Sequence, residues 1–147
     1  MRPILLSLLL LCIALVPLDA ASAAGEKEAR GAGQLFADVL TTGQPARLDP
    51  ILPASGKIMV SLAGGNAGTG YFGVSQARAL LQTWLENGTG KEGKVLHVEV
   101  QDDSYARVEL SIRRTVHGGA EQSVRFRLGL QPENGRWVLR EIRETVR

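Results

Sequence analysis

The sequence predicts an α+β domain in which amino-terminal helices pack into a curved antiparallel sheet. Three observations predict it. From Val95 to Val146, apolar and charged residues alternate in four runs separated by turn residues. The runs are apolar on one side only, the mark of an antiparallel sheet covered on one face. Ahead of them lie stretches whose apolar residues recur at helical spacing, able to supply that cover.

The chain opens with an export-type signal. Arg2 is followed by Ile4 to Val16, apolar except for Ser7, then Pro17 and the small-x-small pattern Ala21, Ser22, Ala23. The apolar run is shorter than the ~20 residues of a membrane span. Residues 1–23 are therefore expected to be removed, and the product to be periplasmic or secreted, without membrane contact. Cys12 is no lipid-anchor site, because Leu9, Leu10 and Leu11 offer no small residue before it. It is also the only cysteine. Residues 24–147 then hold no disulfide, thiolate metal site or thiol nucleophile, and depend on a hydrophobic core.

Residues 24–33 are small and polar and read as a flexible lead-in or a frayed helix start; a single domain is expected over 34–147. Leu35, Phe36, Val39 and Leu40 share a helical face that Gly43 ends. Ala46 to Leu52 reads as a short second helix, closed by Pro53. Lys57 to Leu62 is a strand, the glycine-rich 63–70 a turn, and Tyr71 with Phe72 a short return strand. Ser75 is a good N-cap for a helix with the stripe Ala77, Leu80, Leu81, Trp84 and Leu85, ending at Asn87 and Gly88.

In the strands that follow, Leu96, Val98, Val100, Val108, Leu110, Phe126 and Leu128 are expected to point inward. His97, Glu99 and Glu109 point outward, so no acidic residue joins the inward set. The last strand has apolar residues on both sides, Val138 and Ile142 against Trp137 and Leu139, the pattern of a bulged strand. The turns are Asp102-Asp103, His117 to Gly119, and Glu133-Asn134-Gly135.

Three segments, Gly56 to Leu62, Gly70 to Ala77 and Gly135 to Arg143, resemble the nuclear transport factor two-like (cystatin-like cone) superfamily. Within it, the chain is most similar to small exported bacterial domains of unknown function. The resemblance runs from about Gln34 to Arg143 and implies a cone whose curved sheet wraps helices. That superfamily holds isomerases, cyclases and dehydratases beside transport factors and non-enzymatic binding or dimerisation modules, so fold does not give function. Its acid-base members place a carboxylate in the pocket of the cone, where burial raises the pKa.

The only carboxylates expected to reach such a pocket are Asp38 and Asp49, on the early helices. They are the catalytic candidates. Phe36, Tyr71, Trp84 and Phe126 are the candidates for lining an apolar ligand site. Gly68 to Gly73 spells G-x-G-x-x-G, but the strands after it form hairpins rather than the parallel unit a dinucleotide needs. Gly73 to Ala77 resembles a nucleophile elbow around Ser75, for which capping a helix is the simpler role. Two histidines, His97 and His117, on separate strands make no metal site. Asn87-Gly88-Thr89 has the form of a glycosylation sequon and reads as the loop after the helix.

The outward set carries Arg107, Arg113, Arg125, Arg127, Arg140 and Arg143 among Glu99, Glu109, Glu141 and Glu144. Cross-strand ion pairing on a solvated face is the expected arrangement. A formal charge of +2 and the lack of interleaved aromatics argue against nucleic acid. The expectation is a non-enzymatic binding or interaction module without cofactor or metal, holding a small apolar ligand or pairing through its sheet with a protein partner or a second copy. The alternative is a small acid-base enzyme of isomerase, cyclase or dehydratase type.

Overall fold

The computed structural model describes residues 18–63 and 68–145, with the side chains of 18–22 and Thr89 left aside. The export signal expected over 1–23 lies outside the described residues, apart from 18–23, which begin the first helix.

That helix, α1, spans Leu18–Thr42. The stretch 24–33 is therefore helical, not a flexible lead-in. Its small residues are a contact face: Ala29 and Ala32 are buried, and a Cβ on Gly33 would lie 2.5 Å from Val108 Cγ1. Further along, Phe36, Val39 and Leu40 are buried on the expected face. Gly43 ends the helix at φ 69°, its N–H bonded to Val39 O at 2.9 Å. The short second helix is a 3-10 helix over Pro45–Ile51 that buries Leu48 and Ile51.

Strands β1 (Lys57–Ser61) and β2 (Thr69–Gly73) pair as an antiparallel hairpin. β2 leads straight into α2 (Val74–Glu86). Ser75 is not the cap. The helix starts ahead of it, and the Gln76 side chain accepts the Gly73 N–H at 3.0 Å. The expected stripe buries Ala77, Leu81, Trp84 and Leu85.

Four long strands follow: β3 (Gly88–Gln101), β4 (Tyr105–Val116), β5 (Glu121–Glu133) and β6 (Arg136–Thr145). The sheet order is β2-β1-β6-β5-β4-β3. All pairings are antiparallel except β1 with β6. β3 begins well before Val95 because its glycines, which read as loop, are in the strand. A Cβ on Gly90 would lie 2.6 Å from Leu40 O, so glycine there lets α1 lie against β3.

Leu96 does not point inward. The β3–β4 register shifts between Val95 and His97, and this extra residue turns Leu96 out, 42% exposed. Val95 takes the inner place opposite Leu110. The expected bulge in β6 is present: the register breaks opposite Gly129 and Leu130, so Leu139 and Ile142 both reach the core.

Both helices pack on one face of the curved, unclosed sheet. At the centre, Phe36 and Phe126 meet edge to face with centroids 5.6 Å apart, and Trp84 and Phe126 do so at 5.3 Å.

Candidate functional site

Three of the four predicted ligand-lining aromatics are this core. Phe36, Trp84 and Phe126 are buried, Phe36 and Trp84 each meeting Phe126 edge to face. Tyr71 is elsewhere, 72% exposed on β2. The two predicted carboxylates do not meet. Asp38 accepts from Gln34 Nε2 at 2.9 Å on the flank of α1, and Asp49 forms an exposed ion pair with Arg78 of α2. His117 bonds Glu86 O from its turn.

The inner face instead holds an acid and a base that sequence reasoning had placed on the other side or passed over. Glu144 on β6 and Arg114 on β4 are the charged residues buried among those described, at 9% and 7% exposure. Each continues the alternation of its strand, Ile142 to Glu144 and Ile112 to Arg114. That continuation was the available signal. Carrying the inward register past the last apolar residue would have found both.

Trp84 joins the pair. Its Nε1–H donates to Glu144 Oε2 at 3.1 Å. The Arg114 guanidinium lies over the indole, 4.0 Å from the ring centroid, a cation–π contact. The Ala63 N–H, just after β1, also donates to Glu144 Oε2, at 2.7 Å. Arg114 Nε donates to Gln122 at 3.3 Å, while its Nη1 is buried without a partner. Glu144 thus ties β1 and α2 to β6.

Burial pushes the Glu144 carboxyl above its ordinary range, against the opposing pull of the Ala63 and Trp84 hydrogen bonds and the Arg114 charge. Burial likewise lowers Arg114, which Glu144 partly offsets. The arrangement provides a carboxyl that holds its proton unusually well beside a stacked cation. Among the described residues, no group of three metal-ligating side chains forms.

The convex face carries the expected charge ladder. Arg107 pairs with Glu99 at 3.4 Å and Arg113 with Glu92 at 2.7 Å. Arg127 and Arg143 stand opposite each other on β5 and β6 and share Glu141, at 3.9 and 3.1 Å. Arg125, beside them, makes no ion pair among the described residues.

No family model matches the sequence, and no curated protein does. Solved structures do match. A provisionally assigned dehydratase of the NTF2-like family from Streptomyces avermitilis has TM-score 0.63 at 15% identity, over 83% of this chain and 95% of that one. A DUF4783 family protein from Bacteroides uniformis has TM-score 0.61 at 11% identity, over 78% and 95%. A provisionally assigned calcium/calmodulin dependent protein kinase II association domain from Xanthomonas campestris has TM-score 0.56 at 18% identity, over 82% and 88%. At these identities the likeness is one of architecture, and it bears out the resemblance carried by Gly56 to Leu62, Gly70 to Ala77 and Gly135 to Arg143: the chain has the nuclear transport factor two-like fold.

Proposed function

We propose that the chain is an exported, non-enzymatic interaction module that works through the convex face of its sheet, in its simplest form against a second copy. The observation that carries this reading is the aromatic packing at the centre of the cone. Phe36 and Trp84 each meet Phe126 there, taking up room that a ligand inside the cone would need. Among the described residues no helix covers the convex face, where Arg127 and Arg143 share the Glu141 carboxylate and Arg125 makes no ion pair. Nearby Glu99 and Glu109 give the same face acidic positions. Opposite charges on one surface suit a two-fold pairing, in which each copy supplies both. A structural neighbour named as an association domain fits the same use of the fold. Export rests on the amino-terminal sequence.

Sedimentation velocity at low and high salt tests the proposal. A dimer at low salt that separates on Arg127→Glu with Arg143→Glu supports it. A monomer at every concentration and salt overturns the self-pairing.

A second reading rests on Glu144. A carboxyl raised by burial suits proton transfer at a pH where an ordinary glutamate has lost its proton, the role an isomerase, cyclase or dehydratase would give it. In that reading Glu144 replaces Asp38 and Asp49.

A further inference from the structure

A groove of about 260 Å³ lies away from Glu144, between α1, the 3-10 helix and the β5–β6 hairpin. Leu35, Ile51 and Trp137 give it an apolar lining, and Gly31, Glu28 and Arg136 complete the part that matters here.

Gly31 is the residue that asks for an occupant. It sits inside α1, where glycine weakens a helix. Gly33, two residues on, is explained by its contact with Val108. At Gly31 a Cβ would meet nothing within 4 Å, and the backbone there has no positive φ. No described part of the chain needs the side chain to be missing. Its absence opens the helix backbone to a body from outside, above an apolar floor.

The charges specify that body. The Glu28 side chain makes no hydrogen bond or ion pair among the described residues. Arg136 is held by the carbonyls of Pro50 and Leu52, at 3.2 and 3.4 Å, which fix the guanidinium without matching its charge. Donors remain on it for a carboxylate. An apolar body with an ammonium at one end and a carboxylate at the other satisfies both groups. The volume falls just under the ~300 Å³ at which drug-sized pockets begin, so the body is small. A second copy would need roughly 20–30 residues a side, and nine line this groove.

We infer that the groove binds a short apolar peptide with free ends: its ammonium at Glu28, its carboxylate at Arg136, and its side chains on Leu35, Ile51 and Trp137. This site is separate from the convex face, and its test does not depend on what pairs there.

The probe is leucyl-leucine with free ends, titrated into the chain while tryptophan emission is followed, Trp137 in the groove being the one of the two tryptophans that the peptide would touch. A saturable change is expected, weakened about tenfold or more by capping both peptide ends or by Glu28→Gln, each of which removes a charge-assisted contact. Gly31→Leu puts a side chain into the groove and favours the helix, so it is expected to abolish binding while leaving the urea midpoint no lower. Equal binding of the capped peptide, unchanged binding to Gly31→Leu, or no saturable signal overturns the inference. So does a dimer that Gly31→Leu converts to monomer, since the occupant would then be a second copy.

Discussion

Glu144 is where the physics of one side chain decides most. It is buried, it accepts from Ala63 N–H and Trp84 Nε1–H, and its carboxyl is raised chiefly by burial. A raised acid binds its proton more tightly in the folded state than in the unfolded one. Its stabilising contribution is fully present below the ordinary glutamate range and is lost as pH rises through the folded value. Stability is therefore expected to fall with rising pH in the window just above that range. Glu144→Gln removes the charge and keeps an acceptor, so its urea midpoint should be flat through this window and at least equal to the parent at neutral pH. Glu144→Ala should instead lose about 1–3 kcal/mol for each orphaned buried donor. Equal losses in both variants would show that the acceptor oxygen is not what holds β1 and α2. The sequence contained this residue's position but not its setting. Alternation from Ile142 points Glu144 inward, whereas the habit of placing glutamate on the solvent face points it outward, and only the Trp84 and Ala63 donors show why the first prevails.

At the scale of elements, the glycines separate what was legible from what was not. The helical stripe from Ala77 to Leu85 and the four alternating strands could be read directly, because each buries one face and period alone reveals that. The start of β3 and the first half of α1 could not. Their small residues look like loop until the partner is known, since Gly90 is required by Leu40 O and Gly33 by Val108, contacts distant in sequence. Leu96 fails for a related reason: an extra residue between Val95 and His97 breaks the alternation, so the inward side that holds for Val98 and Val100 does not extend back to it. A contrast follows between two glycines of opposite sign. Gly90→Ala drives a methyl into the α1 backbone, which no rotamer change relieves, and should cost about 1–3 kcal/mol. Gly31→Ala meets no atom and should stabilise the chain by about 0.5–1 kcal/mol. Urea unfolding measures both. A Gly31→Ala that destabilises would mean α1 is not a helix at that point.

For the whole molecule the question is whether the cone is a container or a solid. With its single cysteine in the export-type segment, the rest of the chain has no covalent staple, and the packing of α1 and α2 on the sheet must supply cooperativity. Phe36, Phe126 and Trp84 are the centre of that packing. The sequence identified all three as facing inward, yet could not say whether they line a space or fill it, because filling depends on how closely the helices approach. Glycines at 33 and 90 permit the closest approach, which argues for a solid. Trp84→Ala should therefore destabilise by about 3–5 kcal/mol, the range for truncating a buried aromatic, and leave a space shaped for the missing ring, walled by Phe126 on one side and by Arg114 and Glu144 on the other. Indole restores both the aromatic ring and the N–H that Glu144 accepts, and a ligand bound only by the folded state raises its stability. Indole added to Trp84→Ala should accordingly raise its unfolding midpoint, and added to the parent should leave it unchanged. If indole stabilises the parent as much as the variant, the cone already holds an open space beside Trp84. The partners of the convex face would then no longer be the first place to look, and the chemistry of Glu144 and Arg114 at the wall of that space would be.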